Sequence, residues 1–201
     1  MIIIDGRESA LRINNFANLE ELLVSAATDG SLADRVVTDV LINNEAFSEL
    51  YPHQAEDIAS GELHSVEIRS VPHDEMAIEI AEELLKVTDI LGKGSRRVAA
   101  LFRQAEDDEA LEVFQDLLEV TRAFMSMINV LRNNFAVSVD AEFITNVEQI
   151  SALLTEMTDV LENEDWILLA DLLEYEFVPV CDSWKRIIWS LQETIRAGRG
   201  N

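Results

Sequence analysis

The chain has 201 residues, with 39 Asp and Glu against 15 Lys and Arg, a net charge of −24, and a composition that is 48% hydrophobic. That apolar content excludes a disordered acidic tail, and a field of this sign disfavours nucleic acid and anionic membranes as partners. The length admits one or two domains.

Residues 1–72 hold 13 acids and 4 bases, and residues 73–201 hold 26 and 11, so both halves are acidic. Cys181 is the only cysteine. It cannot form an intrachain disulfide and reads as a free, buried thiol in a reducing compartment. The opening Met1-Ile2-Ile3-Ile4-Asp5-Gly6 has neither a basic stretch nor a long apolar one, and no run approaches the roughly 20 apolar residues of a membrane span. The expectation is a cytoplasmic protein of bacterial type.

In chain order, Met1–Ile4 and Ala10–Ile13 are short apolar runs that bracket Asp5-Gly6-Arg7-Glu8, a hairpin signal. Residues 18–24 predict a helix capped by Asn15 or Asn18 and ending near Asp29-Gly30. Val36–Ile42 is β-branched and nearly alternating, a strand with an Asn43-Asn44 turn after it. Tyr51–Ala59 is a short helical or irregular connection. Ser65–Ser70 alternates, a strand with Val66 and Ile68 on the face opposite Glu67 and Arg69.

This order of hairpin, helix, strand, irregular segment and strand resembles the β-grasp (ubiquitin-like) fold, in which a mixed sheet curls round one helix. The resemblance covers residues 1–72 and is carried by Ile2–Ile4, Leu11–Ile13, Leu19–Val24, Val36–Ile42 and Val66–Ile68. β-grasp modifiers expose a C-terminal Gly-Gly, whereas here the chain runs on. The resemblance therefore implies a binding or packing module and not a conjugated tag.

After Pro72 the apolar period changes to 3.6. Residues 74–104, 108–133, 140–162 and 164–197 each carry one apolar stripe, with acids at their starts that complement the helix dipole. Gly92 and Gly94 interrupt the first stripe, but it resumes in phase at Val98, which favours one continuous helix. Short polar links favour antiparallel neighbours. The expected fold is α+β: a small mixed-sheet domain, 1–72, then an antiparallel four-helix bundle, 73–201.

Catalytic motifs are missing. Di-metal carboxylate bundles need Glu-x-x-His on two helices, yet His53, His64 and His73 all lie before the first bundle helix gets under way. Gly92-Lys93-Gly94-Ser95 lacks the upstream glycine and strand of a phosphate loop. The expectation is no catalytic, metal or cofactor site. Ser48, Glu49 and His53 share a loop but lack a scaffold that would orient a nucleophile and its base.

Three features stand out. Glu176 falls, at about 100° per residue, amid the Leu169/Leu173/Val180/Ile187 stripe near Pro179. It reads either as a ligand- or proton-binding acid at a kink, or as a buried carboxylate satisfied by Arg132, Arg122, Thr88, Ser95 or Thr121. Trp189, Ile167 and Val178 share an outer face that suggests a contact surface for the N-terminal domain, a second copy or another protein, with simple burial in an imperfect bundle as the other reading. Lys93, Arg96, Arg97 and Arg103 form the dense basic stretch, either a receptor for an acidic partner or acidic second copy, or cations at a helix end.

The favoured function is a non-enzymatic acidic protein-binding module, an adaptor or chaperone-like assembly factor, with another protein or a second copy as partner and a homodimer as one form. In composition, not motif, the chain is similar to bacterial secretion and flagellar chaperones. The alternative is an enzyme or small-ligand sensor using Glu176 or the Ser48–His53 loop.

Overall fold

The computed structural model describes residues 1–28, 30, 32–47, 54–134 and 141–198. The chain divides into two units, Met1–Met76 and Ala77–Asn201, an α+β organisation with a mixed sheet first and helices after it.

In the first unit, β1 (Ile2–Ile4), β2 (Arg7–Glu8), β3 (Arg35–Ile42), β4 (Glu45–Phe47) and β5 (Val66–Pro72) form one sheet in the order β2-β1-β5-β3-β4. β1 and β5 are parallel and the other pairs antiparallel. The hairpin partner of β1 is Arg7–Glu8, not Ala10–Ile13. Ile4 pairs with Arg7, so Asp5 and Gly6 alone make the turn, both at positive φ (48° and 77°). Two such residues match the twist of the strands. Ile13–Asn15 instead forms a 3₁₀ turn.

Asn43 and Asn44 make the same kind of turn between β3 and β4, at φ 52° and 69°. Asn43 also ties this turn to the approach of β5. Its Oδ1 accepts from the backbone N–H groups of His64 (2.8 Å) and Ser65 (3.1 Å), and its Nδ2 donates to the Glu62 carbonyl (3.1 Å).

Helix α1 (Leu19–Thr28) is capped reciprocally. Asn18 Oδ1 accepts from Glu21 N–H at 3.0 Å, and Glu21 Oε2 accepts from Ala17 N–H at 2.6 Å. Its apolar face, Leu19, Leu22 and Ala26, shares one core with Ile2, Ile4, Val66 and Ile68 of the sheet. A short helix α2, Gln54–Asp57, lies in the connection to β5.

The helices of the second unit are α3 (His73–Arg103), which begins in the first unit and runs unbroken through Gly92 and Gly94, α4 (Asp107–Asn134), α5 (Ala141–Glu162), α6 (Trp166–Asp171) and α7 (Val178–Gly198). A Cβ on Gly94 would lie 3.2 Å from Leu117 Cδ1, so the glycine allows α3 and α4 to approach closely.

The buried positions recur at alternating steps of four and three. In α3 they include Leu84, Thr88, Leu91, Ser95, Val98 and Phe102; in α4, Phe114, Leu117, Thr121, Phe124, Ile128 and Leu131. In α5 Asn146, Leu153 and Val160 are buried, while their apolar neighbours Val147, Leu154 and Leu161 are half-exposed. Trp184 of α7 is fully buried between Phe124 and Phe143, its ring edge-to-face with both.

Leu172–Phe177 is a π-helical turn in which Val178 N–H reaches back five residues to the Leu173 carbonyl. A π turn holds one extra residue, so α7 is rotated by about 100° against an α-helical reading. Phe177, Val178 and Cys181 turn inward, while Glu176 and Tyr175 turn out.

Candidate functional site

The helical unit carries an open groove of about 720 Å³. α3 contributes Leu85, Lys86 and Asp89, and the first turn of α5 contributes Glu142 and Phe143. The rest of the lining comes from α7, chiefly Lys185, Arg186, Ile187, Trp189 and Leu191. The groove has apolar lining because Ile187 belongs to the helical core and Leu85 packs against that core. Trp189 remains 59% exposed.

The charges on the groove are unevenly engaged. Lys185 Nζ lies 2.6 Å from Asp89 Oδ1. This bond, more than the charge itself, holds the Asp89 carboxyl below its usual pKa, against a smaller opposing effect of burial. Lys86 pairs with Glu83 at 2.6 Å, and both side chains are well exposed. Among the described residues Arg186 has no ion pair; its Nη2 donates to Ser183 Oγ at 2.9 Å.

Of the three outer-face residues expected from the sequence, only Trp189 lines this groove. Ile167 is exposed elsewhere, at 58%, on α6. Val178 is buried, with 5% exposure, because the π turn rotates it inward.

Glu176 is not the expected buried acid. It is exposed and lines a separate hollow of about 400 Å³ between α5 and the π turn, with Gln149, Glu156, Tyr175 and Ser183 among the other lining residues. The hydroxyls named as its partners are engaged within their own helices. Thr88 donates to the Leu85 carbonyl, Ser95 to Leu91 and Thr121 to Leu117, each at 2.7 Å.

The basic stretch is partly consumed by intrachain pairs. Arg97 pairs with Glu109 of α4 at 2.7 Å. Arg103 pairs with Asp171 at 2.7 Å and with Glu174, and its guanidinium sits 5.7 Å from the centre of the Tyr175 ring. Lys93 and Arg96 are exposed. Ser48, Glu49 and His53 lie outside the described residues.

Burial pushes the Cys181 thiol up to about 12, so it stays protonated and unreactive at neutral pH. Among the described residues no three His, Cys, Asp or Glu side chains converge as a metal site would need. The groove offers apolar contact, a guanidinium without an ion pair among the described residues, and two lysines in exposed ion pairs.

Sequence reasoning passed over Leu85, Lys86, Asp89, Phe143 and Lys185. Their common trait is that they are spread over three helices, which no single periodicity displays. The one legible signal was local: Lys185 and Arg186 stand one helical turn before Trp189.

Residues 79–187 match the domain of unknown function DUF8042, and residues 1–71 match another, DUF8043. No curated protein and no solved structure matches the chain.

Proposed function

The chain belongs to the DUF8042 family, and because the helices that carry this membership also build the groove, we propose that the protein is a non-catalytic binding module. In this reading it is an adaptor or chaperone-like assembly factor of the cytoplasm that holds a segment of another protein between α3, α5 and α7. The observation that carries the reading is the exposed indole of Trp189 at an open apolar groove. Aromatic side chains left in water beside an apolar depression are the usual anchors of protein contacts. Among the described residues no helix is long and apolar enough to cross a membrane.

For the helical unit we propose an antiparallel four-helix bundle, α6, the π turn and α7 acting as its fourth member. The alternating four-three spacing of buried positions is that of helices packed knobs-into-holes. The ion pairs support antiparallel α3 and α7: Asp89 pairs with Lys185 and Glu82 with Arg196, so position falls along one helix as it rises along the other. For residues 1–72 we propose a β-grasp module, supported by the mixed sheet and the single long helix that shares its core.

A second reading has one observation in its favour: about 720 Å³ is the size of a small-molecule pocket, so the groove would suit a ligand sensor. The separating experiment is affinity capture from native lysate with the wild-type chain and Trp189→Asp as baits. A protein retained by the wild type and lost from the variant is the expected outcome. Identical capture by both baits removes the protein-binding reading, and a small bound mass seen by native mass spectrometry of the wild type alone favours the sensor.

A further inference from the structure

Resting on the protein-binding reading of the groove, we infer that its occupant is an acidic amphipathic helix of a different protein, apolar face down and carboxylates toward Arg186 and Lys86. Across the chain, acids outnumber bases 39 to 15. Among the lining residues of the groove that excess is gone: Lys86, Lys185 and Arg186 stand there with Asp89 and Glu142, and Lys86 is paired with Glu83 beside it. Two of the three lysines of the chain stand there.

Most of these charges are already engaged, and Arg186 is the cation without an ion pair among the described residues. Asp89 is hydrogen-bonded to Lys185. Glu142 sits in the first turn of α5, where the helix dipole already stabilises a negative charge. Arg186, bonded only to the Ser183 hydroxyl among the described residues, keeps donors for an incoming carboxylate in the paired geometry that guanidinium favours. The exposed Lys86–Glu83 pair is of the kind that contributes little and is exchanged readily.

A helix suits the shape. The lining of α7 runs from Lys185 to Leu191, about two turns, which matches apolar side chains presented at i, i+3, i+4 and i+7 by a partner helix. A second copy carries acidic amphipathic helices too, but two bodies of charge −24 repel each other.

The test uses the full-length chain and a labelled synthetic peptide of about 18 residues, long enough to become helical on binding. It carries leucine and phenylalanine on one face and glutamate on the flanks, and its twin has lysine for every glutamate. Fluorescence anisotropy is read at about 150 mM salt, where exposed charges act over only about 8 Å. The acidic peptide should bind, and lose roughly tenfold in affinity with Arg186→Glu and at least that with Trp189→Ala. Any attachment of the lysine twin should be indifferent to both substitutions. Both residues are exposed, so circular dichroism of the variants should match the wild type.

The inference is overturned if the lysine twin is the one sensitive to the substitutions, or if neither peptide binds at the groove. It is overturned as well if light scattering shows a dimer that Trp189→Ala dissociates. When neither peptide binds but Trp189→Asp still loses a captured protein, the acidic occupant fails while the binding-module reading stands.

Discussion

Asp5 shows how much one side chain can do in a small sheet. It holds the β1–β2 turn at positive φ, and its carboxylate accepts from Ser70 N–H and Ser70 Oγ, both at 2.7 Å, while Arg35 Nε lies 3.1 Å away. Burial alone would raise its pKa. The Ser70 hydrogen bonds, then the charge and hydrogen bond of Arg35, outweigh that and bring it below the usual value. A carboxyl with a lower pKa folded than unfolded contributes stability above its unfolded pKa and loses it as pH falls through the folded one. Stability should therefore drop as the medium is acidified below about pH 4. Asp5→Asn, which tolerates the same backbone, should flatten that part of the stability–pH curve, as urea titrations at several pH values would read. The side chain is 30% exposed, so solvent screening keeps the effect modest. An unchanged slope in the variant would remove Asp5 as its source.

At the scale of elements, helix ends and the π turn decide which side chains meet. α3 and α5 both end with a non-glycine residue in the left-handed region, Ala105 (φ 59°) and Glu164 (φ 54°). In each case the next N–H bonds the carbonyl five residues back, Glu106 to Leu101 and Asp165 to Val160. Asp165 then caps α6 by accepting from Leu168 N–H at 3.0 Å.

The π turn sets the phase of α7 against the core, and this predicts a contrast between neighbours. Phe177→Ala should cost about 3–5 kcal/mol as a large-to-small core change. Glu176→Leu should shift stability by no more than about 0.5 kcal/mol, as for other surface sites. Denaturant unfolding of both variants checks this, and a large effect at Glu176 would show that the phase is the plain α-helical one. Asn146 is a polar side chain on the inner face of α5. It is buried, its Nδ2 donates to the Glu142 carbonyl, and its Oδ1 has no partner among the described residues.

At the scale of the whole molecule the charge dominates. Self-repulsion in a chain of net −24 works against compactness, and the scattered ion pairs relieve only part of it. Raising salt from about 0.05 M to about 0.5 M, which shortens the screening length several-fold, should raise the melting temperature. A melting temperature that falls over this range would mean that the native pairs, such as Asp89–Lys185, outweigh the repulsion.

Much of the fold was legible because it is written locally. Asp5-Gly6 and Asn43-Asn44 tolerate left-handed backbone, Asn18 can cap a helix, and the stripe that resumes at Val98 carries α3 through two glycines. Composition and charge are properties of the chain that packing does not alter. Three things were decided only by tertiary structure. Arg7–Glu8 became the hairpin strand, because pairing with β1 outweighed the stronger apolar pattern of Ala10–Ile13. Glu176 and Val178 exchanged places, because one added residue in a π turn shifts the phase at the start of α7 and leaves no mark in a 3.6-residue pattern. The groove exists only where three separately amphipathic helices meet, since the cations of α3 and α7 and the ring of Phe143 lie far apart in sequence and become neighbours through packing alone.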